Sequence, residues 1–559
     1  MRLSPGARAG RTAGMDVPVG EEGGTVAGDT GATIAARGGV ASAGARNATR
    51  FRWQLLTLVF VSGMSSMALE MSASRLLAPY FGTSLFVWAN LIGLILIYLS
   101  AGYFVGGRLA DRFPDRRLLC TLTTIAALWV GLIPFISRPV LNWSVSGLDT
   151  QNASVFYGSL LAVILLFSVP VTLLGVVSPF AIRLSVDRVG NAGRNAGGLY
   201  ALSTAGSIVG TFLPVLLLIP NWGVRRTLLA VCVTLLAASL WGLAPWPRLL
   251  ASIPGAILLV PLLLPQVAPL GPLKPQAGLI YDQESFYNYI QVVRERNGTM
   301  ELVLNEGHAI HSIYNPNQLL TGWYWDYFLA APYFNAGPVP RTVKRVAIIG
   351  LAGGTIARQY TAVYPGVQVD GVEIDPAIVQ VGRKYFGMTE PNLHVTVGDG
   401  RAFMRITHQS YDVVAIDAFQ QPYIPFQLTT QEFFQEIRAH MSPTGVLCLN
   451  TGHTSHDYRL AQAFVNTLAT VFPSVYMFNV PNTFNTEIMA TMAPTSLDMF
   501  RANLGQLVTD PIMGAVASEV VPVAQAAHPQ SGGIVFTDDQ APVEQLTDQL
   551  LLNYIQQGS

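Results

Sequence analysis

Charge is scarce in this chain, and so is cysteine. Charged residues make up 12 % of its 559 positions, about half the roughly 25 % of an ordinary soluble domain. With 51 % apolar residues, a chain of this length is not one soluble globule. The few charges balance, 33 Lys+Arg against 33 Asp+Glu, which leaves no general basic field for a nucleic acid. The three cysteines, Cys120, Cys232 and Cys448, lie far apart and form no CxxC spacing. That argues against a disulfide framework and a thiolate zinc site, and we expect no metal. Residues 1–50 have almost no large apolar side chain and are rich in Gly, Ala, Thr and Arg. Such a stretch cannot bury enough surface to offset its ordering entropy, so it reads as a disordered tail. It also lacks the apolar core and small-residue cleavage site of a secretory signal.

Beyond the tail the chain turns to long apolar runs. Seven stretches approach the ~20 residues that span a bilayer: Trp53–Leu69, Leu85–Val105, Leu118–Ile136, Val155–Val177, Leu199–Ile219, Thr227–Leu243 and Leu249–Val267. Residues 51–270 therefore read as a transmembrane domain with the lipid bilayer as partner. Arg46, Arg50 and Arg52 precede the first run, Arg108, Arg112, Arg116 and Arg117 follow the second, and Arg183, Arg188 and Arg194 follow the fourth. All three clusters share one side if the N-terminus is cytoplasmic. The segment GGRLADRFPDRR at Gly106–Arg117 resembles the short basic loop of major-facilitator transporters, but reads more readily as a positive-inside loop with a helix cap. Glu70 and Arg75 could pair at the membrane edge.

Beyond Pro272 the pattern changes to short alternating runs, GLIYDQESFYNYIQVVRER and TMELVLNEG, which predict a small antiparallel sheet over 275–335. From residue 340 to the end an α/β pattern begins. Val346–Ile349 is a buried strand that runs into the glycine-rich turn of IIGLAGGTIAR and then a helix. Glycine permits a tight turn and close ligand approach, and the helix N-terminus offers free N–H groups. A second strand, VQVDGVEID, carries Glu373 at about the 20-residue spacing at which an acid meets a ribose. LHVTVGDG ends in Asp399 and Gly400, and YDVVAID ends in Asp417. Any one of these acids could be a helix N-cap. Four strands that each end in a glycine loop or an acid describe the ligand crevice of an open parallel sheet.

These motifs resemble the spermidine/spermine synthases (polyamine aminopropyltransferases), in a membrane-fused form. The resemblance runs from about Gly278 to Thr451. It implies a multi-pass α-helical membrane domain, a small β-sheet subdomain, and a doubly wound, Rossmann-like α/β domain of the adenosylmethionine-dependent transferase type. Carried over by position, it implies that Gly350, Gly353, Gly354, Glu373, Asp399, Gly400 and Asn288 bind the cofactor. Glu373 would hold the ribose and Asp399 the adenine, while Asp417 would hold the attacking amine and Tyr324 orient it. The cofactor implied is S-adenosylmethionine or its decarboxylated form, used as substrate. The partner is a small amine, and a homodimer is the family expectation.

Three departures matter. Gly353 stands where the family has an Asp, Gln420 where it has a second acid, and Trp325 where it has a Gln, although Asp326 keeps an acid beside it. Four functions stay open on these residues: aminopropyl transfer, acceptor-free release of methylthioadenosine, methyl transfer, and a non-enzymatic transporter or sensor. Asp538, Asp539 and Glu544 read as an acid cluster or a turn before the last helix. His308 and His311 read as pocket-lining or solvated rather than as ligands. A multi-pass protein of the cell membrane is expected, with its catalytic domain in the cytoplasm. Seven spans would contradict that side; either the last run, with Pro254, Pro261 and Pro265, is broken or re-entrant, or the Glu70–Arg75 region holds another crossing, and the count stays open.

Overall fold

The computed structural model describes residues 31–82, 85–146, 153–185, 192–243, 270–305, 309–339, 341–419 and 423–556. Two compact units divide the chain, Met1–Trp53 and Gln54–Ser559. The first helix, α1, covers Gly31–Phe81, so helix begins well before the apolar run and inside the stretch expected to be disordered. Alanines recur there, and a strong helix former extends a helix that apolar residues further on already hold. The part of that expectation before Gly31 lies outside the described residues.

Among the described residues six helices are long and apolar enough to cross a membrane: Arg52–Phe81, Val87–Arg112, Arg116–Val145, Phe156–Ser185, Ala192–Trp222 and Val224–Leu243. The seventh expected run, Leu249–Val267, lies outside the described residues. Helices α2 (Leu85–Arg112) and α4 (Ala153–Gly175) touch through glycine. A Cβ on Gly102 would stand 2.3 Å from the Thr172 carbonyl, and one on Gly175 2.8 Å from that of Leu99. In a membrane, such small residues let backbones approach and dispersion contacts replace a hydrophobic drive. Arg75 does not bond Glu70; it donates to the carbonyls of Phe286 and Tyr287.

The C-terminal half holds two sheets. Strands β1 (Leu279–Glu284), β2 (Tyr289–Arg294), β3 (Met300–Leu304) and β4 (Ile310–Tyr314) form an antiparallel meander in that order. The larger sheet comprises β5 (Arg345–Ile349), β6 (Gln368–Glu373), β7 (Leu393–Val397), β8 (Tyr411–Ile416), β9 (Met441–Gly452), β10 (Ser474–Asn479), β11 (Asn485–Thr491) and β12 (Ala524–Ala527). Its order is β12-β10-β11-β9-β8-β5-β6-β7. From β9 to β7 the pairs are parallel, while β11, β10 and β12 add an antiparallel edge. Both faces are covered, which explains why β5 and β8 read as unbroken apolar runs rather than alternating ones. From β5 the chain continues to β6 and β7 on one side and returns to β8 and β9 on the other. The strand order reverses between β5 and β8, and a ligand crevice opens at such a reversal.

Candidate active site

Gly350 and Asp417 meet at that reversal. Gly350 follows β5 with φ +89, a left-handed conformation that only glycine adopts cheaply. A Cβ there would lie 2.4 Å from the Asp417 carbonyl oxygen. The Asp417 N–H donates to the Ile349 carbonyl at 2.9 Å, so the glycine turn and the acid are locked together. Gly354, also left-handed at φ +90, precedes helix α9 (Thr355–Val363). The small sheet closes this loop from above. The Gly353 N–H donates to Ser312 Oγ at 2.8 Å, and Thr355 Oγ1 bridges the N–H and carbonyl of Ile313.

Position 353 has no room for a side chain. A Cβ would stand 2.9 Å from Ser312 Cβ and 3.1 Å from Phe386 Cγ. The glycine that departs from the family pattern is therefore matched to its neighbours.

Glu373 ends β6 and is buried. Its carboxylate accepts from the N–H groups of Ala352 at 2.9 Å and Asp375 at 3.1 Å. Burial lifts it to about 7, against the pull of those backbone donors. Asp399 serves as the N-cap of α11 (Gly400–Ile406), accepting from Ala402 N at 2.8 Å. The helix α10 (Pro376–Tyr385) that lies between them is capped by Asp375. Asn288, expected among the cofactor contacts, is held otherwise. Its amide donates to Asp375 Oδ2 at 3.0 Å and accepts from Asn305 at 2.9 Å. It braces the strand end that carries Glu373.

Asp417 collects three donors. Asn450 Nδ2 reaches Oδ1 at 3.0 Å, Trp325 Nε1 reaches Oδ2 at 3.0 Å, and the Tyr324 hydroxyl reaches Oδ2 at 3.2 Å. Burial pushes its carboxyl up to about 6, and the three donors hold it from rising further. The Tyr324 phenol is raised well above its ordinary range, first by burial and then by Asp417, and so remains a donor. The rings of Tyr324 and Trp325 lie 4.3 Å apart between centroids, in a segment, Tyr324–Phe334, that is buried throughout.

Trp325 and Asn450 were not legible as site residues. Trp325 counted as a lost glutamine, yet its indole N–H supplies a donor. Asn450 lies at the carboxyl end of parallel strand β9, and that position was the available signal. Asp326 is spent elsewhere, accepting from Thr321 N, Thr321 Oγ1, Gly322 N and Gln359. Asp538 does not gather the nearby acids; it pairs with Arg401 at 2.7 Å and accepts from Thr430. His311 stays neutral, since burial lowers its imidazole to about 4, whereas His308 and Gln420 lie outside the described residues.

The model of the spermine/spermidine synthase domain matches residues 336–501. A polyamine aminopropyltransferase of Vibrio vulnificus is 31 % identical over 225 residues, covering 39 % of this chain and 73 % of that protein. The chain belongs to the polyamine aminopropyltransferase family. A probable polyamine aminopropyl transferase of Bifidobacterium longum is 33 % identical over 287 residues, and the match covers 48 % of this chain. The chain spans 63 % of that relative's length. A probable spermidine synthase from Corynebacterium glutamicum, solved as a crystal structure, aligns at TM-score 0.38 and 20 % identity, over 47 % of this chain and 97 % of that one. Gly350, Glu373, Asp399 and Asp417 all lie at the carboxyl ends of β5, β6, β7 and β8.

Proposed function

We propose that the C-terminal half transfers an aminopropyl group from an adenosyl sulfonium to a small amine and releases methylthioadenosine. The observation that carries this reading is the Asp417 carboxylate, held by three donors against the glycine turn at the strand reversal. In this reading the loop Gly350, Gly353 and Gly354 admits the nucleoside, Glu373 accepts from its ribose hydroxyls, and Asp399 accepts from the adenine amino group.

The amine's lone pair attacks the aminopropyl carbon next to sulfur as that carbon–sulfur bond breaks, and sulfur keeps the bonding pair. The new secondary ammonium gives its extra proton to Asp417. Because the sulfonium is already a good leaving group, the site needs alignment and a proton acceptor rather than a strong acid. Tyr324 and Trp325 fix the carboxylate's rotamer, so its free lone pairs face the amine.

The test is mass-spectrometric product analysis of the detergent-purified chain. It is given S-adenosylmethionine or its decarboxylated form, with and without diamines. Methylthioadenosine whose formation requires the amine supports transfer. Adenosylhomocysteine would mean methyl transfer, amine-independent methylthioadenosine would mean self-cleavage, and bound nucleotide with no product would sink the enzyme reading.

For the membrane side, we read the catalytic half as facing away from the basic loops. Several contacts fix the two ends of the bundle. Tyr80 and Arg75, late in α1, bond the carbonyls of Leu273, Phe286 and Tyr287. The first N–H of α8 (Val224–Leu243) donates to Glu284. At the other end, Gln54 bonds Trp241 and Arg116, Asp111 pairs with Arg183, and Asn195 bonds Ser185. Arg108, Arg112, Arg116, Arg117, Arg183 and Arg194 thus gather at the end remote from the soluble half. The positive-inside bias makes that end cytoplasmic and favours an extracytoplasmic catalytic half over the cytoplasmic one first expected. Alkaline phosphatase fused after Ser559 is then active, and a green fluorescent protein fused there is dark; the opposite pattern would reverse the orientation.

A further inference from the structure

We propose that Arg75 of helix α1 is a positioning residue for the nucleoside site. Through the turn between β1 and β2 it holds Glu373 in place, so the helical bundle sets how tightly the catalytic half binds its nucleoside. This rests on the reading above in which Glu373 accepts from the ribose, and adds to it a residue from outside the catalytic half.

The turn is Ser285–Asn288, between the end of β1 and the start of β2. Arg75 donates to the carbonyls of Phe286 and Tyr287. No backbone N–H among the described residues bonds either carbonyl, so without the guanidinium two acceptors lose their partner. Arginine suits this place because its rigid planar fork can meet two adjacent oxygens at once. On the other flank Glu284, the last residue of β1, accepts at Oε2 from the Val224 N–H at the start of α8, at 2.8 Å. Gly223 just before that helix has φ +79, and a Cβ there would stand 2.7 Å from Glu284 Oε2. Helices α1 and α8 thus grip the turn from two directions.

The inner side of the turn faces the large sheet. Ser285 Oγ donates to Asp375 Oδ2, and the Asn288 amide donates to the same oxygen at 3.0 Å. The Asp375 N–H donates in turn to Glu373 Oε1 at 3.1 Å, while Oε2 accepts from Ala352 in the glycine-rich loop at 2.9 Å. Ser285, Asn288, Glu373 and Asp375 are all buried, so water does not readily replace a lost bond among them. A chain of hydrogen bonds therefore leads from a helix long and apolar enough to cross a membrane to the ribose acid.

Packing does not do this work instead. A cavity lies between Arg75, Pro79, Glu284, Ser285, Asn288 and Asn305, and the side chains of Phe286 and Tyr287 are exposed. The turn is placed by its polar bonds, and such networks carry coupling between distant sites.

The test uses the full chain in detergent, with calorimetric titration of methylthioadenosine, steady-state kinetics and hydrogen–deuterium exchange. Arg75→Met keeps the apolar stem and loses the donors. Its methylthioadenosine Kd and nucleoside KM are expected to rise about 10-fold, the order of one lost charged hydrogen bond. Its kcat at saturation stays within about 2-fold, as for a loss of uniform binding. Arg75→Lys, which still donates to one carbonyl, restores affinity to within about 3-fold of the wild type. Exchange in Arg75→Met rises at 285–289 and 373–377 together, while β9 stays protected. An unchanged Kd in Arg75→Met, a fall in kcat with KM unmoved, or a wild type that binds no methylthioadenosine overturns the proposal. Faster exchange throughout the chain does so too, since Arg75 would then be a general stabiliser. The two readings fail separately. Weaker methylthioadenosine binding in Arg75→Met, by a protein that never forms that product, would remove the transfer reading and leave the coupling. Methylthioadenosine formed with the same nucleoside KM in both proteins would remove the coupling and leave the transfer.

Discussion

Replacing Asp417 by Asn should make the protein more stable and nearly inactive, and the gain should depend on pH. Burial holds this carboxyl at about 6 in the folded chain, against its ordinary 3.8. A raised carboxyl favours the fold while protonated, and that contribution is lost as pH rises through about 6. Above that pH the wild type carries a charge that its surroundings disfavour. The difference of about 2 pH units corresponds to roughly 3 kcal/mol at 1.36 kcal/mol per unit; because Asp417 is partly open to the crevice, about 2 kcal/mol is the better figure. Asparagine has the same shape without the charge. If its amide turns, its oxygen still accepts from Tyr324 and Trp325, and the spare Asn450 oxygen accepts its NH₂. We expect Asp417→Asn to melt about 4–8 °C higher at pH 8 and level with the wild type near pH 4. Loss of a general base lowers turnover about 10²–10⁴-fold. Paired thermal melts by tryptophan fluorescence across pH 4–8, with methylthioadenosine production measured in parallel, check both halves. A variant that melts lower at pH 8, or a difference that ignores pH, would refute the electrostatic account.

Trp325→Phe removes one donor from Asp417 while keeping an aromatic ring. Its carboxyl should rise further, moving the acid limb of the pH–rate profile up from about 6 by roughly one unit; an unmoved limb would deny the indole this part. Gly350→Ala forces a side chain into φ +89 and against the Asp417 carbonyl. The backbone alone costs about 1–3 kcal/mol, so methylthioadenosine binding should vanish and the melting temperature fall. A variant that binds and melts like the wild type would show that the glycine turn and the acid are not interlocked.

Much of this protein is decided locally and can be read along the chain. Apolar runs of bilayer length give helices long and apolar enough to cross a membrane, because in lipid backbone groups find no partner but their own segment. The succession of strand, glycine turn and helix at Val346–Thr355, and of acids at strand ends, gives a parallel sheet with a crevice because those elements depend on near neighbours. Glu373, Asp399 and Asp417 stand out as candidates for that reason. Trp325 and Asn450 do not: they reach Asp417 from 92 and 33 positions away, and only strand order brings them together. Asn288 and Asp326 show the converse, since polar residues near a motif are spent on bracing when tertiary neighbours claim them first. The membrane side obeys the same division. The positions of the arginines are written in the chain, but which end of the helical bundle carries the two sheets depends on contacts such as Arg75 with Phe286 and Val224 with Glu284. Periodicity and turn chemistry act over a few residues, and packing acts across the whole molecule.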